Sequence, residues 1–144
     1  MKVTVKQVVD CYKTLGEAKV TKLEESEVLK VIKARKAMRK IAEDYEAFLK
    51  DAQDKFKPED WDDTQKKVAQ WQQEGENTTL TDDEKRYINK SIIDYQRKID
   101  SVVKDELSRE VEIDVEKLKE DSATKLLVEN GWELKKLDEV EIVI

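Results

Sequence analysis

The chain has 144 residues, 43% of them charged and 38% apolar, with a net charge of −6, no histidine and a single cysteine. This composition excludes several classes: no apolar run approaches the roughly 18–20 residues of a membrane span, one cysteine cannot close an internal disulfide, and histidine-based triads and zinc sites are ruled out. Charge is unevenly spread: residues 1–41 carry eleven Lys and Arg against five Asp and Glu, leaving a net of −12 for residues 42–144. The ends of the chain are therefore electrically opposite, which either aligns protomers head to tail or, the preferred expectation because it needs no partner, packs the first third of the fold against the last.

In chain order, Thr4 is an N-cap for a short helix whose Val5, Val8, Val9, Tyr12 and Leu15 share a face, with Gly16 as its stop. Cys11, beside that face, reads as a buried small hydrophobe. A second helix starts near Ser26; no Gly or Pro interrupts residues 23–56, and Lys57-Pro58 ends it. Its apolar seam runs Val31, Ala34, Met38, Ile41, Tyr45, Phe48, Ala52. Pro58-Glu59-Asp60 opens a third helix carrying Trp61, Val68 and Trp71, closed by Gly75, and residues 75–80 form a loop.

Thr81 and Glu84 make a capping box for a long helix reaching about residue 107, with a seam of Ile88, Ile92, Tyr95, Ile99 and Val102. The period then changes to two: Val111, Ile113 and Val115 alternate with acidic residues, as in a half-buried strand. A helix over residues 123–129, capped by Asp121 or Ser122 and ended by Asn130-Gly131, leads to a second strand at residues 140–144. The expected fold is mainly α (α+β): an antiparallel long-helix hairpin or bundle with a small C-terminal two-stranded β element. It forms a single domain over residues 1–144, with a helical bundle at 1–107 and a small β/α element at 108–144.

Gly16, Gly75 and Gly131 lie far apart at helix ends, so no phosphate-binding glycine loop exists. Asp60, Asp62 and Asp63 begin like a calcium loop, but Gln65 and Trp71 stand where such a loop needs Gly and Glu. Glu43/Glu46 followed by Glu59/Asp62 resembles the paired acidic motifs of all-α MazG-like nucleotide pyrophosphohydrolases, a likeness that implies carboxylates turned inward onto magnesium. The seam instead places Glu43 and Glu46 on the water side of their helix. The expectation is therefore no enzyme, no metal and no cofactor.

The densest basic cluster is Lys33, Arg35, Lys36, Arg39 and Lys40. From Glu106-Leu107 through Glu110-Val111-Glu112-Ile113-Asp114-Val115-Glu116-Lys117-Leu118, the chain resembles the ending of small helical phage proteins, which implies a phage or prophage origin. The leading reading is a non-enzymatic interaction protein of the host-cell cytoplasm. It self-associates as a homo-oligomer through Met38, Ile41, Tyr45, Phe48, Ile92, Tyr95 and Ile99, and it binds another protein. The alternative is a phage inhibitor of host defence that holds a nucleotide-like ligand, with Lys33, Lys36, Arg39 and Lys40 on phosphates and Trp61 or Trp71 stacked on the base. Neither a membrane nor a nucleic acid is expected as a partner.

Overall fold

The computed structural model describes residues 1–144, except for the side chain of Leu134. In chain order the elements are β1 (Lys2–Thr4), α1 (Val5–Gly16), α2 (Glu25–Phe56), α3 (Trp61–Glu74), a 3-10 turn (Gly75–Asn77), α4 (Asp82–Ser108), β2 (Glu110–Glu112), α5 (Glu120–Asn130) and α6 (Leu134–Glu139). The fold is mainly α, with long helices packed against each other and one small antiparallel sheet. No helix among the described residues is long and apolar enough to cross a membrane.

The chain divides into two compact units, one of Met1–Ala47 with Asp105–Ile144 and the other of Phe48–Lys104. The division falls inside the two longest helices and groups the N-terminal helix with the C-terminal region.

In the first unit, Val3, Val8, Cys11 and Leu15 from the N-terminus, Val31, Ala34 and Met38 from α2, and Ile113, Leu118, Leu126, Val140, Ile142 and Val143 from the C-terminal region form one core. Thr4 caps α1 in a reciprocal box: its hydroxyl accepts from the Gln7 amide at 3.2 Å, and the Gln7 side chain accepts from the Thr4 amide at 2.8 Å. β1 pairs with β2 in the register Lys2↔Glu112, Val3↔Val111 and Thr4↔Glu110. The pairing continues where Ile113 donates its amide to the Met1 carbonyl at 3.1 Å. Opposite charges follow the same path, with the Met1 ammonium 3.4 Å from Glu112 and Lys30 3.6 Å from Glu116.

Two expectations about the C-terminal region are corrected. Residues 140–144 are not a strand: the Val143 and Ile144 amides turn back onto the Val140 carbonyl at 3.0 and 3.2 Å, and Val140, Ile142 and Val143 are all buried. The expected two-stranded element exists, but its second strand is the N-terminal Lys2–Thr4, three residues being too few to show a period of two. The helix expected at 123–129 starts at Glu120, and neither Asp121 nor Ser122 caps it. Its cap comes from α2: Glu27 Oε2 accepts the Lys119 amide at 2.9 Å, across 92 residues of sequence.

Glu27 is wholly buried, with the Lys30 ammonium 2.8 Å from Oε1 as an ion pair off the ideal hydrogen-bond line. The Lys30 ammonium foremost, then the Lys119 amide, hold its carboxyl at about 2 against the usual 4.5; burial opposes them and the Ser122 hydroxyl assists. At the other end of α5, Gly131 takes the left-handed conformation (φ 62°) that closes the helix. Asn130 beside it clasps the loop after α1, accepting the Lys19 amide at 2.7 Å and donating to the Lys19 carbonyl at 2.9 Å. Thr14 on α1 donates to Glu139 on α6 at 2.6 Å.

In the second unit, α3 begins at Trp61, just past proline, with the Trp61 amide on the Pro58 carbonyl at 3.1 Å. Pro58 therefore precedes the helix and does not sit in its first turn. Trp61 packs on Tyr95, ring centroids 4.5 Å apart, and the Tyr95 hydroxyl donates to the Gln53 carbonyl at 2.9 Å, joining α2, α3 and α4. The Thr81/Glu84 box stands as read, with both reciprocal bonds present at 3.1 and 3.2 Å.

Candidate interaction surface

At about 3.6 residues per turn, the face of α2 opposite Val31, Met38 and Tyr45 carries Leu29, Ile32, Lys33, Lys36 and Lys40, with Arg39 at its margin. All are exposed, and the large apolar pair leaves 47% (Leu29) and 56% (Ile32) of its surface in water. Lys33, Lys36, Arg39 and Lys40 have no ion-pair partner among the described residues. The result is an apolar pair set among cations that form no ion pair, Lys33 lining a pocket that Asp114 and Glu116 also line, a composition suited to an acidic partner surface.

A groove of about 560 Å³ runs between α1 and α2 within the first unit, lined by residues that include Val9, Tyr12, Gly16, Arg35, Ala42 and Glu46. At one end the Arg35 guanidinium lies over the Tyr12 ring, 4.3 Å from its centroid, and Nε donates to the Tyr12 carbonyl at 3.5 Å. Gly16 makes room for it: a methyl at that position would stand 2.7 Å from Arg35 Nη2. Lys13 and Glu17 also border the groove, and Glu43 joins Glu46 further along α2. None of Lys13, Glu17, Glu43 or Glu46 forms an ion pair among the described residues.

Comparison of the chain with family models, curated proteins and solved structures finds no match. The functional reading therefore rests on this geometry.

The residues singled out from sequence are distributed as follows. Met38, Tyr45 and Ile99 are buried, and Ile41, Phe48, Ile92 and Tyr95 are half-buried. The seams that read as surfaces for self-association thus supply much of the chain's own interior. Trp61 and Trp71 are half-buried in the second unit, while the four basic residues meant to hold phosphates belong to the first. Trp61 gives one face to Tyr95, and Trp71 lines a pocket of about 350 Å³ with Val68, Gln72, Gly75, Ile88, Asn89 and Ile92, the Lys85 ammonium lying 5.5 Å from its ring centroid.

Glu43 and Glu46 border the same α1/α2 groove as Lys13 and Arg35, whereas Glu59 and Asp62 belong to the other unit, where Asp62 pairs with Lys57 at 3.4 Å. Among the described residues no group of three or more acidic or cysteine side chains is placed to hold a metal ion. Tyr12, Gly16 and Arg35 do not stand out as a set in the sequence, because Gly16 also suits helix termination and Arg35 lies within the basic cluster. The available signal was the aromatic-to-glycine spacing on α1, which clears one side of the helix for a long cation.

Proposed function

We propose that this is a non-enzymatic binding protein that engages another protein, of acidic surface, through the outward face of α2. The observation that carries this reading is the exposure of Leu29 and Ile32 beside the unpaired Lys33, Lys36 and Lys40. Apolar surface gains about 25 cal/mol per Å² when covered. Surrounding cations steer an acidic partner onto the patch and make the association salt-sensitive. Like charges on the same face oppose its pairing with a second copy, so the occupant is a different protein. The enclosed Met38, Tyr45 and Ile99 are not its contacts.

The test is affinity capture from the cells that express the protein, with the wild type compared against a Leu29→Glu/Ile32→Glu variant whose helicity is checked by circular dichroism. The reading expects an acidic protein recovered by the wild type, lost on the variant and eluted by moderate salt. Equal recovery by both sinks it, as does sedimentation showing that the same face pairs with a second copy.

A second reading has its own observation. The pocket beside Trp71 is lined by Val68, Ile88 and Ile92 and by the amide side chains of Gln72 and Asn89, a lining without charged groups that suits an uncharged planar heterocycle such as a nucleobase, with the Lys85 ammonium near the Trp71 ring. Titration with nucleosides and nucleotides should quench tryptophan fluorescence in the wild type and not in Trp71→Phe. No quenching by any of them removes this reading.

A further inference from the structure

The α2 side of the groove between α1 and α2 carries Arg35 towards one end and Glu43 and Glu46 towards the other, while its α1 side carries Lys13 and Glu17. Arg35 is held at one end by three independent features of the chain: the Tyr12 ring beneath its guanidinium, the Tyr12 carbonyl on Nε, and the missing side chain of Gly16. Its terminal nitrogens carry no hydrogen bond or ion pair among the described residues, so a planar fork of donors is left presented to the groove. Glu43 and Glu46 stand further along, equally unpaired. Val9, Ala42 and the Tyr12 ring supply apolar lining between the charged ends.

We propose that this groove binds an extended segment of a partner protein, with an acidic side chain received by Arg35 and a basic side chain received by Glu43 and Glu46. The charges that α2 presents set the polarity, with Lys13 and Glu17 of α1 beside them, and length fixes the kind of occupant. Arg35 and Glu46 are eleven residues apart on one helix, which is about 16 Å at 1.5 Å per residue. An extended chain covers that span with about five residues at roughly 3.3 Å each, whereas a single small zwitterion leaves one end unmet. A pre-placed guanidinium accepts a carboxylate at low ordering cost, because its own conformation is already fixed. The inference does not depend on the outward face of α2, which consists of different residues.

The test uses four short peptides of about five residues, the span derived above: glutamate first and lysine last, the reverse order, lysine at both ends, and glutamate at both ends, all with alanine and leucine between. Binding to the full-length protein is followed by nitrogen–proton correlation spectra that include the arginine Nε–H signals. One of the two bipolar peptides should bind at least about 5-fold more tightly than both uniformly charged ones, as one additional charge-assisted hydrogen bond implies. It should shift the Gly16, Glu43 and Glu46 amides and one arginine Nε–H signal. Arg35→Lys, Gly16→Ala and Glu46→Gln should each reduce that preference. Gly16→Ala does so without altering charge, by displacing the guanidinium, and Glu46→Gln changes an exposed side chain and so leaves the fold intact. Equal binding of all four peptides, no binding at all, or shifts confined to residues outside the groove would overturn the proposal.

Discussion

Glu27 has no contact with water, yet it is kept ionised by Lys30 and the Lys119 amide at the start of α5. Its folded pKa, about 2, lies below the usual 4.5, so the stability it contributes is complete above about pH 4.5 and is lost as pH falls towards about 2. Glu84, Glu129 and Glu139 are also held below the ordinary carboxylate range, by Thr81, Thr21 and Thr14 respectively, so acid unfolding has several contributors. The comparison that isolates Glu27 is the melting temperature of wild type and Glu27→Gln as a function of pH. Near neutrality the variant should melt roughly 5–10 °C lower, as expected for a broken buried ion pair. The gap should narrow steadily below about pH 4, as Glu27 of the unfolded wild-type chain takes up a proton that the folded carboxylate resists down to about pH 2. A gap independent of pH counts against the assignment. Cys11 is the opposite case, a fully enclosed thiol pushed up to about 12, chiefly by burial and secondarily by Asp10. Being a thiol and not a thiolate at neutral pH, it should react with iodoacetamide only on unfolding, which mass spectrometry of native and denatured protein would reveal.

Among the elements, the helix ends differ in how far their causes lie along the chain. The caps of α1 and α4 are local, made by Thr4 with Gln7 and by Thr81 with Glu84, and both were legible in the sequence because donor and acceptor stand three residues apart. Thr81→Ala should therefore cost about 1 kcal/mol in denaturant unfolding. Gly131→Ala should cost a similar amount, about 1 kcal/mol, because the φ of 62° disfavours any Cβ even though nothing crowds the site. The start of α5 was misplaced by a turn because its cap is supplied by a carboxylate from α2, which no local pattern encodes. The C-terminal segment departs from the expected strand for a related reason. Val140-Glu141-Ile142-Val143-Ile144 alternates only at its start, and the burial of Val140 and Val143 together follows a helical turn of three.

For the whole molecule, burial is unequal between the two units. Among the described residues, sixteen buried apolar side chains belong to the first unit, and Ala52, Leu80, Ile88 and Ile99 are those of the second. Local opening free energy follows buried contact, so amides of α3 should exchange with deuterium faster than those of α1 and α5 by about tenfold or more. Met38→Ala in the first core should lower global stability by about 2–5 kcal/mol, the range for a large buried side chain cut to alanine. Equal protection of α1 and α3 in hydrogen exchange would contradict this ranking.

The sequence by itself determined α1 to α4, the stops at Gly16, Lys57-Pro58 and Gly131, and the opposition of charge between the first and last parts of the chain, but not α6. Each of these follows from propensity, periodicity or composition within a few residues or over a whole segment. Tertiary structure alone decided which strand pairs with β2, which side chain caps α5, and that much of the two seams is interior. It also brought Tyr12 and Gly16 of α1 to Arg35 of α2, creating the groove. These are contacts across long sequence separations, chosen by shape and charge in the packed core, and a periodic pattern records only that a face is apolar and not what will cover it.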